Sequence, residues 1–156
     1  MHPNAERVRE ALTAAGIQTE VVEVSESTRS AAEAAETLGV EVEQIAKSLI
    51  FRVADEAVLV IASGGNRVST KKLKALLGGK IRRADAEFVK AKTGFPIGGV
   101  SPVGHSTNLR TLIDEDLRSY DTIWAAAGTP FAVFSTCLAD LERMTGGQVA
   151  DVKEEV

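Results

Sequence analysis

The stretch Lys47-Ser48-Leu49-Ile50-Phe51-Arg52-Val53 is followed, after a short polar break, by Ala57-Val58-Leu59-Val60-Ile61-Ala62. Both runs are short, apolar and rich in Val, Ile and Phe, which is typical of strands. The pair Asp55-Glu56 between them predicts a turn, so the two strands form a hairpin. A hairpin at this point favours a mixed sheet over a doubly wound parallel one.

Helix start and stop signals flank this hairpin on both sides. Ser30-Ala31-Ala32-Glu33 is a capping box for a helix that ends at Gly39, and Ser69 caps a helix over 70–77 that ends at Gly78-Gly79. The other predicted helices are one capped by Asn4 and running to about Ala15, a helical turn over 42–46, one capped by Asp85 and running to about Lys92, and one over 139–144. The other predicted strands are Ile17 to Val24, 81–83, and a hairpin of 122–126 with 131–135. The pattern predicts an α+β fold, with helices around a mixed, largely antiparallel sheet.

Length and composition limit the class of protein. The 156 residues suit one ordinary domain, so we expect a single domain over 1–156. Hydrophobic residues make up 44% and charged residues 26%, which excludes wholesale disorder. The apolar runs are far shorter than the roughly 20 residues that span a bilayer. The first residues include His2 and Glu6 where a signal peptide would be apolar, so a cytoplasmic protein with no membrane partner is expected.

Charge is distributed unevenly along the chain. The formal net charge is −4, which argues against a nonspecific nucleic-acid binder and against DNA as a partner. Residues 67–92, however, hold nine of the eighteen basic residues and only two acidic ones. This basic segment indicates either a localised anionic partner or a solvated, lysine-rich helix face.

Several familiar chemistries are absent from the sequence. It has no G-x-x-x-x-G-K-[ST] loop, no G-x-G-x-x-G, no G-x-S-x-G, no H-E-x-x-H and no C-x-x-C. With only His2, His105 and Cys137, neither a metal site nor an internal disulfide is expected, and no cofactor is implied. A Ser-His-Asp triad would have to be built on His105, and no motif places its partners.

A lysine and a glycine loop remain as candidate chemistry. Lys47 stands where a predicted helical turn gives way to an apolar strand, so it is either a snorkelling edge residue or a charge at a pocket mouth. The segment Gly98-Gly99-Val100-Ser101-Pro102 combines conformational freedom with a stiffened turn. Such a loop is either a structural turn or a backbone aimed at a carbonyl or a developing oxyanion.

Taken together and in this order, these features resemble the YbaK / prolyl-tRNA-synthetase-associated editing domain family. The resemblance rests on Ile45-Ala46-Lys47-Ser48-Leu49, the Ala57–Ala62 strand, the basic run Lys71-Lys72-Leu73-Lys74-Ala75-Leu76-Leu77-Gly78, Gly94, the loop Ile97–Gly104 and the closing segment Leu141–Val152. It covers nearly the whole chain. The combination is specific, although no single motif is.

The resemblance implies a reaction and roles for individual residues. The reaction is hydrolysis of the ester that joins a wrongly attached amino acid to the 3′ end of tRNA. Lys47 matches the family's lysine and would bind the acceptor end, while Gly98 and Gly99 would hold the terminal adenosine and the ester carbonyl through their backbone. Val100, Ser101 and Pro102 complete the matching loop and are expected to contact substrate. Cations of the basic segment, Lys71, Lys72 and Lys74, would then follow tRNA phosphates.

Two departures from the family pattern bear on the amino acid that is removed. Members that remove cysteine carry a tyrosine at the end of the early strand and an aspartate on the penultimate strand, where this chain has Val24 and Val133. Ser48, His105 and Phe131 are therefore expected to shape the amino-acid pocket. A small substrate such as alanine, serine or threonine is favoured over cysteine.

Two other readings stay open at this point. The chain could be an inactive family member that binds tRNA or an aminoacyl-tRNA synthetase without hydrolysing an ester. It could also be a small-molecule binding domain whose basic segment is only a solvated face. The sequence contains no synthetase catalytic or anticodon-binding domain, so a deacylase would act in trans, with a synthetase as a candidate partner.

Overall fold

The computed structural model describes residues 1–155, which form an eight-stranded sheet with five helices around it. The helices are α1 (Pro3–Ala14), α2 (Ala31–Leu38), α3 (Thr70–Leu77), α4 (Ala86–Thr93) and α5 (Leu138–Thr145). The strands are β1 (Val21–Glu23), β2 (Ile45–Val53), β3 (Glu56–Ser63), β4 (Ile81–Arg83), β5 (Arg110–Asp114), β6 (Ile123–Ala126), β7 (Ala132–Thr136) and β8 (Gln148–Ala150). Short 3₁₀ helices cover Val42–Gln44 and Glu115–Ser119.

The sheet is mixed, as predicted. Its strand order is β1-β7-β6-β2-β3-β5-β8, and β4 pairs with β2 off this path. The β2–β3 and β6–β7 hairpins, β1–β7 and β2–β4 are antiparallel, while β2–β6, β3–β5 and β5–β8 are parallel. The β2–β3 hairpin lies at the centre of this order.

Strand β2 has two different partners along one edge. β6 pairs with it only at Ile45 and Ala46, and β4 pairs with it only over Phe51–Val53. On the other edge, β3 pairs with β2 from Ala46 to Val53. The sheet is therefore split beside residues 47–50, where the outer edge of β2 has no strand partner.

The hydrophobic core lies on both faces of the central hairpin. Leu59 and Ile61 pack into the main cluster with Leu12 of α1 and Phe134 of β7. Val60 points the other way, into a second cluster with Leu73 of α3, Leu112 and Val152. Because β3 is covered on both faces, it is a continuous apolar run without alternation. In residues 1–155, no helix is long and apolar enough to cross a bilayer.

The capped helices have the predicted ends, and the differences lie elsewhere. Ser30, Ser69 and Asp85 each accept a hydrogen bond from the third residue of α2, α3 and α4, respectively. Helix α1 starts at Pro3 with His2 as its cap, so the prediction that Asn4 caps it was wrong. The His2 ring accepts the Asn4 N–H, and Pro3 suits the first helical position.

The predicted strand over 17–24 is shorter, and two strands were not predicted. Ile17 donates its N–H to Leu12 O at the end of α1, so strand pairing begins only at Val21. β5 and β8 were missed because each is a short parallel strand whose partner is distant in the sequence.

Candidate active site

A pocket of about 720 Å³ surrounds the open edge of β2. Because side chains of a strand alternate between faces, a pocket that surrounds the edge receives residues from both faces. Its lining comes from the 28–31 segment and α2, from β2, the turn before α3, the end of β4, the Gly98 loop, and β6 with β7. The lining residues include Arg29, Lys47, Ser48, Arg67, Arg83, Gly98, Val100, Trp124, Val133 and Glu154.

Lys47 reaches the pocket on the side of the turn between β3 and α3. Its Nζ donates to Asn66 O at 2.5 Å and to Gly64 O at 3.4 Å, both main-chain carbonyls. An ammonium has three N–H donors, so one more can serve a ligand. Burial lowers the pKa of Lys47 below its ordinary value, and the negative charge of Asp114 opposes this effect. The group is half-buried and thus poorly hydrated, which strengthens its attraction to an anionic or carbonyl oxygen.

Ser48 follows Lys47 and faces the opposite side of the sheet. Its hydroxyl oxygen is buried and has no hydrogen-bond partner among the described residues. Val100 and Val133 line the same pocket. A buried hydroxyl without a partner costs free energy, so a ligand that hydrogen-bonds to it would gain affinity.

The glycine loop forms a wall whose shape depends on the absence of side chains. Gly98 has φ +89°, and a Cβ there would lie 2.5 Å from Arg29 Cγ and 3.3 Å from Arg29 O. A Cβ on Gly99 would lie 2.8–2.9 Å from backbone atoms of Thr129. The loop therefore packs directly against the segment before α2 and the β6–β7 turn. This brings the backbone of Gly98 into the pocket.

Positive charge predominates at this pocket. Lys47, Arg29, Arg67 and Arg83 line it, whereas Glu154 is the one carboxylate among the lining residues. Glu154 is 3.6 Å from Arg67 in an exposed ion pair, which has little strength in water. The lining thus suits an anionic ligand such as a nucleic-acid backbone.

The predicted site residues fall into two groups. Lys47, Ser48, Gly98, Val100 and Val133 come together in the pocket lining. The other predicted residues lie outside the lining. Gly99, Ser101 and Pro102 are buried behind the loop surface, and His105 is partly buried beside Phe95. The Val24 N–H donates to the carbonyl of the exposed Phe131, and Lys71, Lys72 and Lys74 lie on α3.

His105 lies against the inside of the glycine loop. Its Nε2 is 2.6 Å from Ser101 O, and its ring meets Phe95 edge-on at 6.1 Å between centroids. Burial, and to a smaller extent the charge of Arg7, lower the pKa of His105, although the bond to Ser101 opposes this. A neutral imidazole that donates to Ser101 O supports the loop from behind.

The α3 lysines differ in their partners. Lys72 Nζ donates to Asp151 at 2.8 Å and to Glu155 at 2.6 Å, and these carboxylates raise its pKa. Lys71 and Lys74 form no ion pair with residues 1–155. Lys72 therefore fixes the C-terminal segment, while its two neighbours remain available to an anion.

The pocket lining also contains residues that the sequence did not single out as site residues, among them Arg29, Arg67, Arg83 and Trp124. Arg67 and Arg83 lie within the basic segment, so their charge was a usable signal. Arg29 and Trp124 carry no local pattern. They reach the pocket through the parallel β2–β6 pairing and the packing of α2 beside it. Within residues 1–155, no group of three or more His, Cys, Asp or Glu side chains is arranged to hold a metal ion.

Comparisons with known proteins identify the relatives of this chain. Residues 25–144 match the model of the aminoacyl-tRNA editing domain. The chain is 34% identical over 113 residues to the uncharacterized protein YwhH of Bacillus subtilis, covering 72% of each chain. It is 29% identical over 131 residues to EbsC of Enterococcus faecalis, covering 82% of this chain and 79% of that one; EbsC is described as a candidate Cys-tRNA(Pro)/Cys-tRNA(Cys) deacylase.

A solved structure extends the match to the whole fold. A protein described as a candidate trans-editing enzyme for prolyl-tRNA synthetase superposes with a TM-score of 0.94 at 48% identity, covering 99% of both chains. The family model matches well over half of the sequence and includes both Lys47 and the Gly98 loop. The resemblance inferred from the sequence is confirmed, and the chain belongs to the aminoacyl-tRNA editing domain family.

Proposed function

We propose that this protein is a trans-editing deacylase that hydrolyses the ester between a small amino acid and the 3′ end of a mischarged tRNA. Alanine, serine and threonine are favoured over cysteine. The observation that carries the proposal is the half-buried Lys47 ammonium, which has a donor to spare and lines the same pocket as the Gly98 backbone.

Hydrolysis of an aminoacyl ester requires few catalytic side chains. Water adds to the ester carbonyl carbon, the bond from that carbon to the 3′ oxygen breaks, and the released 3′ oxygen takes up a proton. Lys47 would position the anionic acceptor end, and backbone N–H groups of the Gly98 loop would stabilise the oxyanion. The family resemblance further implies that the 2′-hydroxyl of the tRNA assists the attacking water. A strong protein base is then not required.

The pocket chemistry supports a small substrate. Ala46, Ala125 and Ala126 belong to β2 and β6 at the split edge, and Val133 stands where cysteine-removing members have an aspartate. The Ser48 hydroxyl can pair with a serine or threonine hydroxyl, or with the ammonium group of the amino acid. Small apolar pockets separate methyl from hydrogen by only about 1–3 kcal/mol, so discrimination among small amino acids will be partial.

Action in trans is supported by the likeness to a protein described as a candidate trans-editing enzyme, which covers 99% of both chains at 48% identity. The solved structure's description points to prolyl-tRNA synthetase as the kind of enzyme whose errors are corrected. We infer that charged tRNA is the main partner, that a synthetase is a second one, and that the protein acts in the cytoplasm as a single editing domain over 1–156.

The test is a panel of Ala-, Ser-, Thr-, Cys- and Pro-tRNA incubated with the parent protein and with Ser48→Ala. We expect the ester to be lost fastest from one or two of the alanine, serine and threonine substrates. Ser48→Ala should slow a hydroxylated substrate by about tenfold, the worth of one hydrogen bond, and affect Ala-tRNA less. Fastest loss of cysteine would contradict the proposed specificity. Salt-dependent tRNA binding with no hydrolysis of any substrate would favour the inactive binding module.

A further inference from the structure

The position of the Lys47 ammonium is fixed by main-chain carbonyls and not by a carboxylate. Both acceptors, Gly64 O and Asn66 O, belong to the turn that follows β3. A main-chain carbonyl can fix the position of an ammonium only if the turn that carries the carbonyl is itself rigid. A turn with few contacts is mobile, and the group bound to it moves with it. What holds this turn therefore decides where Lys47 points.

One buried carboxylate, that of Asp114, accepts hydrogen bonds from the turn that follows β3. Asp114, at the end of β5, is fully buried, and its Oδ2 accepts the Ser63 N–H at 3.0 Å and Asn66 Nδ2 at 2.8 Å. Its other oxygen accepts the Asp116 N–H at 3.0 Å. These three bonds join the end of β3, the Lys47-holding turn and the start of the following 3₁₀ helix.

The Asn66 side chain is held on two sides. Its amide donates to Asp114 Oδ2 and, at 2.9 Å, to Asp116 Oδ2, while Lys153 Nζ lies 2.9 Å from the same Asp116 oxygen. The Lys153 bond, followed by the Asn66 bond, lowers the pKa of Asp116. Because the Asn66 side-chain amide donates to two carboxylates, the orientation of this residue is fixed. Its main-chain carbonyl, which accepts from Lys47, is then fixed as well.

A fully buried carboxylate bonded only to neutral donors costs free energy in a fold. Lys47 is the cation that faces it across the turn, and the charge of Asp114 opposes the loss of the Lys47 proton. The other charged groups around the ammonium come from every element packed on the turn: Glu43 beside Gly65, Arg67 in the turn, Asp116 after β5, Lys153 and Glu154 in the C-terminal segment, and Arg29 across the pocket.

We propose that Asp114 is a positioning residue: through Asn66 and the end of β3, its buried carboxylate orients the main-chain carbonyls that hold the Lys47 ammonium. The proposal rests on the proposed function only in assigning Lys47 to the reaction. The geometry itself concerns Lys47, Asn66 and Asp114 alone. Asp114 is not among the residues that line the pocket, and its hydrogen bonds go to Ser63, Asn66 and Asp116.

The test compares Asp114→Asn, Asn66→Ala and the control Asp140→Asn, which removes a partly exposed carboxylate paired with Arg143 on α5. We expect Asp114→Asn and Asn66→Ala each to lower kcat/KM for deacylation by roughly 10- to 100-fold, as a misplaced catalytic group does. Asp140→Asn should leave it unchanged.

A second measurement separates this inference from the proposed function. Lysine labelled with ¹³C at Cε keeps its three N–H donors, and the Lys47 signal is identified by its absence in Lys47→Arg. We expect the Lys47 pKa to fall in Asp114→Asn, where the opposing charge is lost, and to change less in Asn66→Ala, where it remains. An unchanged Lys47 pKa in Asp114→Asn would overturn the inference, even if no substrate for the enzyme had been found. A parent-like kcat/KM in both site variants of an active enzyme would overturn it as well.

Discussion

His105 gives the clearest residue-level prediction for stability against pH. Its pKa is lowered in the folded state by burial, whereas in the unfolded chain it returns to its ordinary value near 6.5. The unfolded state therefore binds the proton more readily, and stability is lost as the pH falls from about 6.5 through the folded pKa. Urea titrations over this range should show a slope that His105→Gln, which keeps a donor for Ser101 O, reduces. An equal slope in both proteins would contradict the assigned environment.

Lys47 shows how much of the candidate site could be predicted from the sequence around one residue. Its place before an apolar strand marked it as an edge residue or a pocket charge, and the structure has it half-buried in the pocket lining. Its partners could not be predicted, because Gly64 O and Asn66 O are main-chain atoms positioned by the distant Asp114. Every residue carries a main-chain carbonyl, so the residue type does not indicate which carbonyl binds Lys47.

At the scale of elements, the glycine loop has no room for an added side chain at Gly99. Gly99 is buried, and a Cβ there would collide with backbone atoms of Thr129, which cannot rotate away. We expect Gly99→Ala to lower the free energy of unfolding by about 1–3 kcal/mol, as overpacking does. The matched control is Gly79→Ala, whose Cβ would meet only the Val53 side chain at 3.0 Å. Equal urea midpoints for the two variants would show that the loop is not packed as described.

Helix α3 makes a separate prediction about tRNA binding. Lys71 and Lys74 lack carboxylate partners within residues 1–155, whereas Lys72 already holds Asp151 and Glu155. If α3 follows phosphates, Lys71→Ala and Lys74→Ala should each reduce the slope of log Kd against log salt by about 1, with little change for Lys72→Ala. Binding measured from 50 to 300 mM salt decides this. Parent-like slopes in all three would remove α3 from the interface.

The elements predicted well are the helices whose first and last residues have recognisable capping sequences. Caps such as Ser30 and Ser69 and left-handed glycines such as Gly39 and Gly78 are local chemistry, so α2 and α3 have the expected bounds. β5 and β8 have no such ends and exist through parallel pairing with strands far along the chain. Local patterns cannot report a partner of that kind.

At the scale of the whole molecule, the pocket is a consequence of topology. β6 and β4 share one edge of β2 and leave residues 47–50 uncovered between them. Lys47 and Ser48 point to opposite faces of the sheet, yet both reach the pocket because it surrounds that open edge. The hairpin could be predicted from its sequence, but the gap could not, since it depends on where two distant strands stop pairing.

The measurement that tests the central claim most directly is single-turnover deacylation with enzyme in excess over a mischarged tRNA carrying alanine, serine or threonine. The parent protein should be compared with Lys47→Ala and with Lys90→Ala, which removes an exposed lysine of α4 outside the pocket lining. We predict that Lys47→Ala loses at least 100-fold in rate while it remains folded, and that Lys90→Ala stays within a few-fold of the parent. A Lys47→Ala protein that deacylates as fast as the parent would contradict the account.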